Sequence, residues 1–478
     1  MALKLHNTLT RKKEIFKTLK KDEVGLYACG PTVYWFAHVG NLRTYIFVDV
    51  LKRALEYNGY NVKHVMNITD VGHLTSDADT GEDKIEKGAK REGKTAWEIA
   101  ELYTDAFKKD IELLNIKPPA VWIRATDTIK EQIDLIKTLE EKGFTYKLPD
   151  GIYFDTSKIK DYGKLAGRKK RELKAGARVR MAEGKKNITD FALWKFSYPH
   201  GRSFDPARDD SASRRQMEWD SPWGRGFPGW HTECVAMSSK FLGTPFDIHC
   251  GGIDHISIHH PNEMAQSQAA SSNNLANFWL HNEFLTFEGG KMAKSLGNIF
   301  RLEKLSEKGF NPLSFRYFCL NSHYRAKTDF SLEGIKAGQN ALNKLYDAVL
   351  EFKAFLPADT AKSKQNSKYK EKFLEFINDD LNTPKALALM WKLIKDKKIS
   401  GREKYKLLLE FDKIFGLNLN MVEKSEIPRE IKNLAKEREK FRQEKNWQKS
   451  DELRQKIKSL GYEVKDTPSG PEIKKIFL

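Results

Sequence analysis

The sequence predicts an α/β protein: a parallel-sheet domain interrupted by an inserted subdomain, then an α-helical bundle and a small C-terminal α+β domain. Three observations predict it. Residues 24–29 (VGLYAC), 41–57 and 61–68 (NVKHVMNI) read in succession as strand, helix and strand, which implies a right-handed crossover and parallel pairing. Residues 151–188 turn to short strands and basic loops. From Leu313 onward helical periodicity dominates.

Each element has its own signal. The helix over 41–57 repeats Leu42, Tyr45, Val48 and Leu55 on one face and stops at Asn58-Gly59, a pair suited to a C-cap. Ligands of such sheets bind at the carboxyl ends of the strands, here the loop 30–40 and the loop after Ile68. The first holds neither a GxGxxG nor a P-loop pattern, so it supports neither a dinucleotide fold nor a P-loop. Residues 95–114 and 127–142 read as amphipathic helices. Residues 199–216, rich in Ser, Arg, Asp and Gly, predict a flexible loop. Strand character returns at 246–250 (FDIHC) and 278–287. Helices follow at 331–355, 369–376, 384–397 and 404–415, the pattern of a bundle. The chain closes with helices at 429–445 and 448–460, a strand at 461–465 and a tight turn at 467–471 (TPSGP). The expected division is residues 1–125 and 218–312 for the two halves of the sheet domain and 126–217 for the insertion. The bundle takes 313–420 and the last domain 421–478.

Bulk properties narrow the setting. Hydrophobic residues make 40% and charged residues 31% of the 478, an ordinary globular balance. No apolar run approaches the roughly 20 residues of a membrane span. The polar start MALKLHNTLTRKKEIF lacks the apolar core of a secretory signal. Cys29, Cys234, Cys250 and Cys319 are too scattered for a disulfide framework. A cytoplasmic location without membrane association is expected. The net charge of +18 suits a polyanionic partner, through counterion release, or a solubilising surface.

Two segments carry chemistry. His38-Val39-Gly40-Asn41 lies where the first strand's loop enters a helix, and backbone N–H groups at a positive helix end suit a triphosphate. Gly40 allows close approach, and His38 can donate to developing phosphate charge. Alone, the segment is equally a loop histidine followed by Asn41 as an ordinary N-cap. Lys291-Met292-Ala293-Lys294-Ser295 follows a Gly289-Gly290 hinge. Its two lysines can balance a pyrophosphate leaving group, or form a plain basic loop.

Together these segments resemble the HIGH and KMSKS signatures of class I aminoacyl-tRNA synthetases, in the right order. YACGPTVYWFAHVGN, NITDVGH, SPWGRGFPGWHTECVAMS, FDIHCGGIDHISIHHPNEMAQS and GGKMAKSLGN narrow the resemblance to the cysteinyl-tRNA synthetases. It runs the length of the chain, including a tail (DELRQKIKSLGYEVKDTPSGP) similar to that family's anticodon-binding domain. The resemblance implies a Rossmann-like catalytic domain that activates cysteine with ATP and transfers it to the terminal adenosine of tRNA-Cys.

It further implies one zinc ion, held by Cys29, Cys234, His259 and Glu263, and Mg2+ accompanying ATP. From residues alone only Cys234 with His259-x3-Glu263 stands out, and a buried structural cysteine with a helix-capping histidine would explain it too. Pro261 suits a first helical turn, which would put His259 just before the helix. Cys250, His249, His255 and His260 belong to the surroundings. Zinc favours a soft thiolate over a hydroxyl, whereas a shape-based pocket gains only about 1–3 kcal/mol from such a change. By resemblance, Cys29, Gly30, Thr69 and Trp230 meet the cysteine. His38, Gly40, Asn41, His249, Gly251, Gly252, Asp254 and Lys294 meet ATP, and His38, Lys291 and Lys294 are catalytic. In the tail, Trp447, Arg442, Arg454 and Tyr462 could meet unpaired bases, or be a solvated face. A monomer is expected.

Asn41 is common in the family at its position. Ala293 replaces the serine of KMSKS and predicts a modest loss at most. HHPNE replaces the commoner HHENE, and the loop 199–216 is longer than usual. Two other readings compete: a cysteine ligase of mycothiol-type synthesis, which lacks the tail, and an inactive RNA-binding paralogue, which would have lost lysines or metal ligands.

Overall fold

The computed structural model describes residues 1–72, 74, 83–167, 184–198, 215–287, 290–291, 300–354, 365–423, 427–467 and 470–475, with backbone only at 291, 365–367, 474 and 475. The chain forms two compact units: Met1–Arg301 with Ser322–Asp329 and Leu374–Thr383, and Leu302–Asn321 with Phe330–Phe373 and Pro384–Leu478.

The first unit opens with a hairpin the sequence did not signal, β1 (Lys4–Asn7) and β2 (Lys12–Ile15), paired antiparallel. Four-residue strands leave too little alternation to read. The predicted strand–helix–strand follows as β3 (Glu23–Ala28), α1 (Val39–Tyr57) and β4 (Asn61–Ile68). Next come α2 (Lys84–Glu92), α3 (Ala96–Leu113) and β5 (Val121–Arg124). Then α4 (Ile129–Glu141) leads into β6 (Thr145–Leu148), β7 (Gly151–Phe154), β8 (Phe191–Phe196) and β9 (Gly226–Pro228). These four strands form one antiparallel sheet. Its buried Ile152, Phe154, Phe191 and Trp194 pack with Ile136 and Leu139 of α4. The last strand of this sheet lies past residue 217.

The chain returns as α5 (Trp230–Leu242), β10 (Phe246–Gly252), α6 (His259–Ser271) and β11 (Ala276–Asn282). The central sheet has the order β11-β10-β3-β4-β5, all parallel. From β3 the chain builds outward to β4 and β5, then fills the other side with β10 and β11. The strand order therefore reverses between β3 and β10, and a ligand crevice opens beyond the carboxyl ends there. The predicted single strand over 278–287 is two: β11 and β12 (Leu285–Phe287), the latter paired with β13 (Gly290–Lys291).

In the second unit, helices Pro312–Leu320, Leu332–Lys353 and Gly401–Phe415 supply much of the bundle. The fully buried Arg316 donates from Nε to the Phe415 carbonyl at 2.6 Å. Helices Arg429–Gln443 and Trp447–Ser459 and a hairpin of Tyr462–Thr467 with Gly470–Lys475 enclose Ile431, Leu434, Ala435, Ile457 and Val464. The hairpin's second strand was not predicted, because Gly and Pro at its start hide it. No helix among the described residues is long and apolar enough to cross a membrane.

Candidate active site and metal centre

A cavity of about 970 Å³ opens at the carboxyl edge of the sheet. Among its lining residues are Cys29, Gly30, Thr69, Trp230, Cys234 and His259, together with His38, Gly40, Asn41, Gly252 and Asp254. Residues distant in sequence meet because β3, β4 and β10 all end at this edge, while α5 and α6 begin beside it.

The Cys29, Cys234, His259 and Glu263 donor atoms lie within 4.8 Å of one another, all buried. His259 Nε2 is 2.9 Å from Glu263 Oε1 and 3.6 Å from Cys234 Sγ. The stacked Trp230 ring, centroids 4.1 Å apart, holds the imidazole. His259 is itself the first residue of α6, so the helix begins two residues before Pro261 rather than after His259. His259 and Glu263 then stand one turn apart on the same face.

The electrostatics are those of a donor set short of positive charge. Cys29 donates its S–H to Cys234 and so lowers that thiol to about 6. Burial, with the same hydrogen bond, pushes Cys29 well up. Burial disfavours the Glu263 charge, but His249 and His259 outweigh it and hold that carboxyl far below its usual range. Against burial, Glu263 and Cys234 raise His259 to about 10. Two sulfurs, an imidazole and a carboxylate, sealed from water around one point, fit a zinc ion.

His249 and Gly251 do not line the cavity. His249 is fully buried, and its Nε2 lies 2.7 Å from Glu263 Oε2. Its side chain is thus turned to the Glu263 carboxylate of the candidate metal-binding set. His260 Nε2 sits 3.4 Å from Cys29 Sγ, and its Nδ1 is 2.8 Å from His281 Nε2. Cys29, His249, His260 and Glu263 thus also converge within 4.8 Å. The set with two sulfurs is the softer and better matched to zinc. Lys294, the rest of 292–295 and residues 199–214 lie outside the described residues, as does the Lys291 side chain.

His38, not Asn41, is the N-cap of α1. The Asn41 N–H donates to His38 Nδ1 at 3.3 Å, and the His38 N–H donates to Asn41 Oδ1 at 3.2 Å. With Nδ1 accepting, the ring proton sits on Nε2.

Sequence reasoning missed the links that hold these residues. The Gly30 N–H donates to Asn67 Oδ1 (2.8 Å), Asn67 Nδ2 to Thr69 Oγ1 (3.0 Å), and Thr69 Oγ1 to Glu233 Oε2 (3.1 Å). Burial, aided by the neighbouring Cys234 sulfur, pushes the Glu233 carboxyl well above the carboxylate range. Only its place beside Cys234 could have drawn notice to it.

A parallel sheet with this switch-point cavity and a capped HVGN helix defines the class I aminoacyl-tRNA synthetases. The family model described as tRNA synthetases class I (C) catalytic domain matches residues 15–340. Solved structures agree in fold. Mycobacterium tuberculosis methionyl-tRNA synthetase in complex with methionyl-adenylate is similar at TM-score 0.57 and 16% identity, over 83% of this chain and 90% of that one. The Agrobacterium radiobacter K84 LeuRS of a ternary complex with tRNA and LeuAMS is similar at TM-score 0.58 and 11% identity, over 85% of each.

Within the class, the chain belongs to the cysteinyl-tRNA synthetase family. It is 48% identical to Cysteine--tRNA ligase 1 of Burkholderia lata, over 99% of this chain and 97% of the relative. It is 42% identical to the Cysteine--tRNA ligase of Treponema denticola over the whole of both. Its activity is ATP-dependent ligation of cysteine to tRNA.

Proposed function

We propose that Cys29, Cys234, His259 and Glu263 hold one zinc ion, and that the cysteine substrate lies against it between Gly30, Thr69 and Trp230. A zinc ion there would take the substrate's sulfur and offer nothing comparable to a serine hydroxyl, so selection needs no editing. The observation that carries this reading is the shared cavity, which puts Cys29, Cys234, His259 and the HVGN helix end on one ligand space, with the Glu263 carboxylate within 4.8 Å of the three donors.

ATP lies along His38, Gly40 and Asn41, reaching toward Gly252 and Asp254, and accompanying Mg2+ would offset part of its phosphate charge. The cysteine carboxylate attacks the α-phosphate and pyrophosphate leaves. The His38 Nε2–H donates to the phosphoryl oxygens as negative charge gathers there, and Lys291 and Lys294 balance the departing pyrophosphate. In the second step a ribose hydroxyl of the terminal adenosine of tRNA-Cys attacks the activated carbonyl, and AMP leaves. The sheet and insertion carry this chemistry. The bundle and tail, with Trp447 and Arg442, take the body and anticodon of the tRNA. The protein acts as a cytoplasmic monomer.

ATP–pyrophosphate exchange with cysteine and with serine, followed by charging of tRNA-Cys, tests the reading, with Cys234→Ala as control. Serine activated as well as cysteine would refute the zinc argument. Exchange without charging would favour the cysteine ligase of mycothiol-type synthesis.

A further inference from the structure

Arg43 lies on α1, five residues from the His38 cap, and is 3% exposed. Its guanidinium reaches main-chain carbonyls on two separate segments. Nη1 donates to Phe284 O at 2.6 Å. Nη2 donates to Ala326 O at 2.6 Å and to His323 O at 3.4 Å. Phe284 immediately precedes β12, and β12 pairs with β13 through Thr286↔Lys291. The Thr328 N–H also donates to Phe284 O, and Thr286 Oγ1 donates to Asp329 Oδ1 at 2.7 Å. One turn further along α1, Phe47 stacks on Tyr324 with centroids 4.5 Å apart. Beyond the lysine segment, the Val39 N–H donates to Phe300 O at 2.9 Å.

The helix that begins with His38 therefore holds the entry strand of the Lys291 segment and, at Phe300, its exit. We propose that Arg43 is a positioning residue for adenylate formation: by gripping Phe284 and residues 323–326 together, it sets where β12 and β13 place Lys291 relative to His38. The inference rests on His38 and Lys291 being the phosphate-handling residues. Phe47 can hold the segment near Tyr324 by packing. Arg43, from α1, binds that segment and the strand before Lys291 at once. A planar fork spans three acceptors on two segments, and an ammonium, a compact charge on one flexible stem, does not. Misplacement by about 1 Å can cost about 100-fold in rate.

Arg43→Lys tests this in the full-length enzyme. The expected result is a fall in kcat of cysteine-dependent ATP–pyrophosphate exchange of about tenfold or more, with the cysteine KM within about twofold. Cysteine KM should hold because the Arg43 guanidinium bonds to Phe284, His323 and Ala326, and none of these is among the proposed thiol-site residues. Should Arg43→Lys fail to fold, Arg43→Gln, which keeps one two-donor arm, is measured instead. In Arg43→Ala, millimolar guanidinium should restore part of the lost kcat, which a merely destabilised protein would not show. A folded variant with kcat within twofold of the parent overturns the proposal, as does a loss that follows the folded fraction alone. His38→Ala and Lys291→Ala separate the two readings: if neither lowers kcat, the phosphate assignment fails. If both do while Arg43→Lys does not, the positioning role fails by itself.

Discussion

Asn41 and His38 cap α1 reciprocally, each side chain accepting the other's backbone N–H, at 3.3 Å and 3.2 Å. The cap spends His38 Nδ1 on the backbone and leaves Nε2–H as the ring's donor. Capping and the proposed phosphate contact thus use opposite edges of one imidazole, and substitutions can separate them. His38→Asn, a good N-cap residue, should leave the thermal midpoint nearly unchanged while adenylate formation falls about 100- to 1000-fold. Asn41→Ala should do the reverse, costing about 0.5–2 kcal/mol of stability with a smaller loss of rate. Equal losses of rate in the two variants would refute the division of labour.

Gly30 answers to a different constraint. A Cβ there would lie 1.7 Å from the Asn67 carbonyl oxygen, on a backbone segment with no room to yield. Gly30→Ala should force β3 and β4 apart at their carboxyl ends, displacing Cys29 and Thr69 together. A loss of about 1–3 kcal/mol is expected from overpacking, with a raised cysteine KM. Calorimetry and exchange kinetics check it, and an unchanged midpoint with unchanged KM would count against the packing argument.

What the sequence makes legible follows from how far its signals reach. The unit from β3 to β4 could be read because strand and helix periods alternate cleanly over short separations. The short strands β1, β2 and β5 offer no period and were missed. The bundle helices came within a few residues because each carries one apolar face. At the site, HVGN could be seen as a segment but its cap could not, because nothing in the string says whether His38 or Asn41 leads the helix. The pairing of Cys29 with Cys234 depends on α5 packing against β3, a tertiary fact that spacing does not contain. The resemblance sets His249 near ATP, and its 2.7 Å contact with Glu263 is a further tertiary fact that spacing does not contain.

Metal loading should release protons in a count the donor set fixes. At pH 7.5 His259, raised to about 10, carries its proton, and so does Cys29, pushed up by burial. Cys234, at about 6, is already a thiolate, and Glu263 is ionised. Zinc ligands must be deprotonated, so loading the metal-free protein should release about two protons per ion at pH 7.5. Below pH 6 a third proton, from Cys234, should join them. An indicator dye in weak buffer reads the count, and release of less than one proton would exclude this set. Cys234→Ser should weaken zinc retention in a chelator competition while leaving ATP binding in place.

His64, in β4, should limit acid stability. It is 2% exposed, and neither ring nitrogen has a hydrogen-bonding partner among the described residues. Burial, with the nearby Lys52 charge, lowers it from 6.5 to about 3. The folded state therefore holds it neutral while the unfolded chain protonates near 6.5. Because the folded value is depressed, no stability is lost above pH 6.5. As pH falls from 6.5 toward 3, the unfolded state binds the extra proton, at a cost approaching about 1.4 kcal/mol per pH unit. His64→Leu, similar in volume and with no proton to gain, removes that term. The thermal midpoints of parent and variant should then diverge between pH 6.5 and 4, the variant falling less steeply. Parallel curves over that range would show that His64 titrates alike in both states, and the buried-neutral assignment would fail.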